Sequence, residues 1–135
     1  MSLNDSQKKG LEATLRLLET TLDDIAAILD RDRDGILYAV RTRIPPQRVN
    51  ELLRLSAEAR ALIADLARKY HLEKQERNGA RVIAGLLSVR WEALEDTRPE
   101  KLRRYGPVDP KLLPELGPPI ERLIQLVLAM ERLTN

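Results

Sequence analysis

Leucine and isoleucine recur along residues 11–29 at alternating steps of four and three: Leu11, Leu15, Leu18, Leu22, Ile25 and Leu29. That spacing puts all six on one stripe of an α-helix, and Leu17 and Ile28 widen the stripe into a bundle face. Residues Asn4 to Ser6 supply N-cap side chains ahead of it. After the charged stretch DRDRDG, Ile36 and Ala39 fall back into the same register, so the pattern predicts that the helix runs on, kinked at Gly35, to about Thr42.

Pro45 and Pro46 mark the next boundary, because proline suits a first helical turn and excludes a helix interior. A helix over about Pro46 to Tyr70 follows, with Val49, Leu52, Leu53, Ala59, Leu62, Ile63, Leu66 and Tyr70 on one broad face. A third long helix is predicted over about Glu73 to Glu95, carrying Val82, Ile83, Leu86, Leu87, Val89 and Leu94. Its glycines, Gly79 and Gly85, would permit close approach by a neighbour.

The stretch TRPE (Thr97 to Glu100) has capping-box spacing and Gly106-Pro107 a stop, which predicts a short helix from Arg98 to Tyr105. Asp109, Pro110 and Gly117 bracket a second short turn, and Pro118-Pro119 open a last helix with Ile120, Leu123, Ile124, Val127, Leu128 and Leu133. No sustained period-two alternation predicts a strand. The expectation is an all-α, single-domain helical bundle spanning residues 1–135: four long helices, with two short helices before the last.

Composition narrows the chemistry. With no Phe, one Trp and three Tyr, the core must be aliphatic, and without Cys there is no disulfide, thiolate nucleophile or cysteine metal site. The N-terminal stretch lacks a signal-peptide core, and the longest apolar run, residues 123–130, is far shorter than the roughly 20 residues of a membrane span. A cytoplasmic protein without membrane contact is expected. Its 23 basic residues are intermixed with 21 acidic ones, which does not mark a nucleic-acid surface.

DRDRDG begins like a calcium loop, since Asp30, Asp32, Asp34 and Gly35 match the EF-hand pattern. The closing position, where a glutamate must supply two oxygens, is Arg41. A cation there cannot ligate calcium, so the stretch is a solvated joint and no calcium is expected. The one histidine, His71, has Arg68 three residues before it and so lacks the Glu-x-x-His pairing of a carboxylate di-metal site. Glu92 with Glu95, and Glu73 with Glu76, share helix faces at a spacing common on any charged helix. Phosphate-binding glycine loops and nucleophile elbows are absent from the sequence. No cofactor and no catalytic residue is assigned.

The most distinctive segment runs from Ser88 to Pro110. It holds Arg90, Trp91, Lys101, Arg103, Arg104 and Tyr105, residue types that anchor binding patches. The plain alternative is that Trp91 covers one end of the core and the arginines are solvated. The sequence therefore favours a non-enzymatic protein–protein interaction module, its partner a second copy, as in a homodimer, or another protein. A small-ligand or nucleic-acid binder using Arg90 to Tyr105 is the alternative, with nucleic acid disfavoured by the interspersed Glu92, Glu95, Asp96 and Glu100.

Overall fold

The computed structural model describes residues 2–135 and is all-α apart from one small hairpin. The elements in order are α1 (Asp5–Asp30), β1 (Arg33–Asp34), β2 (Ala39–Val40), α2 (Pro46–Tyr70), α3 (Gly79–Glu95), a 3-10 helix (Pro99–Tyr105) and α4 (Leu112–Arg132). The four long helices are the four that periodicity predicts, and they pack pairwise. Contacts gather into a first unit ending at Lys74 and a second from Gln75 to Asn135.

In the first unit α1 starts where the cap residues predict. Asn4 Oδ1 accepts the Gln7 N–H at 2.8 Å and Gln7 Oε1 accepts the Asn4 N–H at 3.0 Å, a reciprocal capping box. Helix α1 does not continue to Thr42. It ends at Asp30, and β1 and β2 pair antiparallel with Arg33 opposite Val40 and Asp34 opposite Ala39. The competing interactions are specific. Asp32 accepts the Thr42 N–H at 3.0 Å, Asp34 pairs with Arg41 at 2.5 Å, and the Thr42 hydroxyl donates to the Ile28 carbonyl at 3.1 Å. That last bond satisfies a carbonyl in the final turn of α1, which has no helical donor of its own. Ile36 and Leu37 consequently stand at the hairpin tip, fully exposed.

Helices α1 and α2 run antiparallel, held by Arg60 to Asp23 at 2.8 Å near one end and by Glu12 and Arg16 to the backbone of Glu73 at the other. Leu22 is the buried apolar residue between them. At the end of α2, His71 adopts the left-handed conformation (φ 53, ψ 47), which lets the Leu72 N–H turn back to the Ala67 carbonyl at 2.9 Å.

In the second unit α3 begins six residues later than predicted, capped by Asn78, whose Oδ1 accepts the Ala80 N–H at 3.0 Å. The stretch from Glu73 to Asn78 contains no apolar residue, so a helix there would have no face to bury. Gly79 and Gly85 do not serve close packing, because nothing lies within 4 Å of where a Cβ would stand at either. Thr97 does not cap the next helix either. Its hydroxyl donates to the Leu94 carbonyl at 2.7 Å, and the segment from Pro99 is 3-10.

The second predicted short helix is absorbed into α4, which carries Pro118 and Pro119 in its interior. Proline there costs the helical bonds to two preceding carbonyls, yet keeps the φ that a helix requires. The apolar side chains before and after the prolines, Leu112, Leu116, Ile120 and Ile124, are all at least half-buried on one side of the unit. Ile124, at 1% exposure, is the centre of its small core.

Candidate interaction surface

Helices α3 and α4 are antiparallel, and two contacts set their register. The Ser88 hydroxyl donates to Glu131 at 3.1 Å, and Arg98, three residues past the end of α3, meets Glu121 in the middle of α4 at 2.6 Å. Facing α4, the half-buried residues of α3 are Ala84, Leu87, Trp91 and Leu94, again at steps of three and four. Facing α3, helix α4 presents Ile120, Ile124, Val127 and Leu128.

Each helix has a second apolar stripe that this contact leaves uncovered. On α3 it is Val82, Leu86 and Val89 with Ile83 beside them, and on α4 it is Leu123, Leu126, Met130 and Leu133. Helical residues turn by roughly 100° each, which places both second stripes at the same rotational sense from the α3–α4 contact line. The α4 stripe lies about 120° from the contact line, but Val82 and Val89 lie about 160–180° from it, on the back of α3, and Arg90 falls between the contact line and Leu86. The Ser88–Glu131 contact places the middle of α3 beside the C-terminal end of α4. The opposite side of the hairpin is polar, with Arg81, Glu92, Asp96, Arg122, Gln125 and Arg132.

The ionic groups of this unit cluster at the far end of α3. Arg98 Nε donates to Glu95 at 2.7 Å and its Nη2 to Glu121. Those bonds hold the Glu95 carboxyl below the usual range, and Gln125 together with Arg98 does the same for Glu121. Arg98 itself is pushed well above its ordinary value by the same two carboxylates. Glu95 is therefore tied to a guanidinium rather than open to a cation beside Glu92.

The six residues singled out by composition fall in three settings. Trp91 lies half-buried on the inward stripe, with its Nε1–H buried and unpartnered, and Arg90 is exposed one position before it. Lys101 is half-buried on the 3-10 helix, while Arg103, Arg104 and Tyr105 are exposed, with Arg104 paired to Asp96 at 3.1 Å. A shallow groove of about 690 Å³ adjoins this end, lined by Glu100, Arg103, Gly106, Pro107, Val108, Pro110 and Leu113.

The first unit also leaves apolar side chains open, including Leu17, Ile28, Leu55 and Leu62 on its helices and Ile36, Leu37 and Tyr38 at the hairpin tip. In the DRDRDG stretch, Asp32 and Asp34 are engaged by Thr42 and Arg41. Among the described residues no group of three His, Cys, Asp or Glu side chains is placed to hold a metal ion, and no helix is long and apolar enough to cross a membrane.

Val82, Leu86, Val89, Leu123 and Leu133 fall on the apolar arcs that periodicity predicts for these helices, and periodicity does not divide those arcs into covered and uncovered parts. Val82, Leu86, Val89 and Ala93 follow steps of four, three and four, and Leu123, Leu126, Met130 and Leu133 follow three, four and three. A broad apolar arc in sequence does not say which part of it a neighbour covers. Comparison with protein-family models, with curated proteins and with solved structures finds no match to the chain.

Proposed function

We propose that this chain is a non-enzymatic interaction module that associates with itself through apolar helical surface. The supporting observation is the surface left to solvent, 11149 Å² for a 15.4 kDa chain. A folded monomer of this mass exposes about 7,200 Å², and two separate globules of half the mass would together expose only about 8,700 Å². Many large apolar side chains contribute to the excess. Leu22 and Ile124 are the buried hydrophobic side chains among the described residues, while residues such as Leu17, Leu62, Leu86 and Met130 stand open. Association covers such surface and supplies the core that helix pairs cannot build alone.

Native mass spectrometry of the untagged full chain, with light scattering at micromolar concentration, tests the reading. A dimer or higher oligomer is expected, and a strict monomer would remove it.

A second reading is a small-ligand site at the groove beside Arg103, since Val108, Pro110 and Leu113 give it apolar walls and Glu100 and Arg103 give it charge. A stoichiometric small-molecule adduct in the same spectrum, lost on Arg103→Glu, would favour it.

A further inference from the structure

We infer that the stretch from Lys74 to Arg77 is a cleavage site for proteases specific for basic residues, which cut the native chain after Lys74 and after Arg77 and leave both helical units whole. This goes beyond the self-association reading and does not depend on it.

The first support is the backbone. Leu72 to Asn78 is the longest stretch without helix, strand or turn among the described residues. A protease cleft takes a chain out of its regular structure, and a segment already outside a helix is available without one having to open. By contrast Lys69 and Arg81, the nearest basic residues on either side, lie inside α2 and α3.

The second is the lack of anchors between two fixed ends. On one side Glu12 accepts the Glu73 N–H at 3.4 Å and Arg16 donates to the Glu73 carbonyl at 3.4 Å. On the other Asn78 caps α3, its side chain accepting the Ala80 N–H at 3.0 Å and its carbonyl the Val82 N–H at 3.2 Å. Between them Lys74, Gln75, Glu76 and Arg77 form no hydrogen bond and no ion pair with any described residue. Every side chain from Glu73 to Asn78 is exposed and none is apolar, so lifting this segment into a cleft uncovers no core.

The third is the side chains themselves. Lys74 and Arg77 both lie in the unanchored stretch, and the residues that follow them, Gln75 and Asn78, are not proline. A pocket with a carboxylate at its base selects such cations. Hydrolysis adds one water across the Lys74–Gln75 or the Arg77–Asn78 amide, leaving a carboxylate on the basic residue and an amino group on the next. Arg31 and Arg43, basic residues outside helices elsewhere, flank the β-hairpin, where Thr42 is bonded to Asp32 and to Ile28.

The fourth is where the cuts fall. The packing of the chain divides between Lys74 and Gln75. Helices α1 and α2, with Leu22 between them, precede that point, and α3 and α4, with Ile124, follow it. No helix is interrupted, and each buried apolar residue stays with the helices that bury it.

Limited digestion of the full native chain with trypsin, followed by intact-mass spectrometry, tests the inference. The first products are expected to end at Lys74 or Arg77, two of the 23 Lys and Arg residues, with the helical circular dichroism of the nicked sample unchanged. Lys74→Gln combined with Arg77→Gln alters exposed side chains only, and should lengthen the life of the full-length chain at least about tenfold, because cleavage then waits for another segment to open. Lys69→Gln with Arg81→Gln, in the flanking helices, should leave that lifetime unchanged.

A second measurement needs no protease. Heteronuclear NOE values of the backbone amides should fall at residues 75–77 and recover within α2 and α3. A first cut in the β-hairpin or after Arg103 or Arg104, an unchanged lifetime for Lys74→Gln/Arg77→Gln, loss of helical signal on nicking, or NOE values at 75–77 as high as those of the helices would each overturn the inference, whatever the oligomeric state of the chain.

Discussion

Arg98, three residues beyond the end of α3, donates to Glu121 in the middle of α4 at 2.6 Å while gripping Glu95 of its own helix at 2.7 Å. One guanidinium thus ties the chain leaving α3 to the helix that α3 packs against. Because both carboxylates titrate below their ordinary value in the folded chain, they bind fewer protons folded than unfolded.

The sign follows. Their contribution is complete above the unfolded glutamate value, about 4.3, and is lost as pH falls through the lower folded values. Arg98→Gln is expected to lower the Tm by a few degrees at pH 7, with the gap to wild type closing as pH drops below 4. Thermal melts between pH 7 and pH 3 check this; a gap that stays constant across that range would show that the ion pairs contribute nothing.

Ile124 is the most deeply buried side chain in the second unit. Ile124→Ala removes buried methylenes from a core with few other members, and a loss of about 2–5 kcal/mol is expected. Its exposed neighbour Gln125, substituted by Ala, should change stability by no more than about 0.5 kcal/mol. Urea denaturation of both variants measures the contrast, and similar midpoints would mean that Ile124 is not the centre of the core.

His71 holds a left-handed backbone conformation at the end of α2, where a side chain crowds the backbone. His71→Gly should stabilise the first unit by roughly 0.5–1 kcal/mol, and His71→Val should destabilise it. Equal midpoints for the glycine, histidine and valine forms would show that this residue does not adopt that conformation in solution.

Gly35 opens the hairpin tip, where its N–H donates to the Tyr38 carbonyl at 2.8 Å. A Cβ at this position would stand 2.9 Å from Tyr38 Cε1 and 3.1 Å from the Tyr38 carbonyl oxygen. The ring can swing aside but the carbonyl cannot without loosening the turn. Gly35→Ala should therefore speed amide exchange at Gly35's own position and at Thr42, whose N–H is held by Asp32. Unchanged exchange at both amides would show that the turn tolerates a side chain.

The helical class and the four long helices were determined by the sequence itself, because the three-and-four spacing of Leu11 to Leu29, and of the later stripes, can bury an apolar face only as a helix. The cap at Asn4 and the opening at Pro46 were equally local, since each depends on groups within a few residues. Tertiary structure decided what periodicity leaves open. Ile36 and Ala39 match the helical register, but Thr42 reaching back to Ile28, and Arg41 to Asp34, make a hairpin from residues seven to fourteen positions apart. Likewise Pro118 and Pro119 read as a helix start, while the side chains flanking them pack as one continuous helix. The candidate surface needed the fold most. Leu86 and Leu126 are ordinary bundle leucines in sequence, and only the structure shows that the α3–α4 contact leaves both exposed. Periodicity reports that a side chain is apolar; whether another element reaches it is a property of the packed chain.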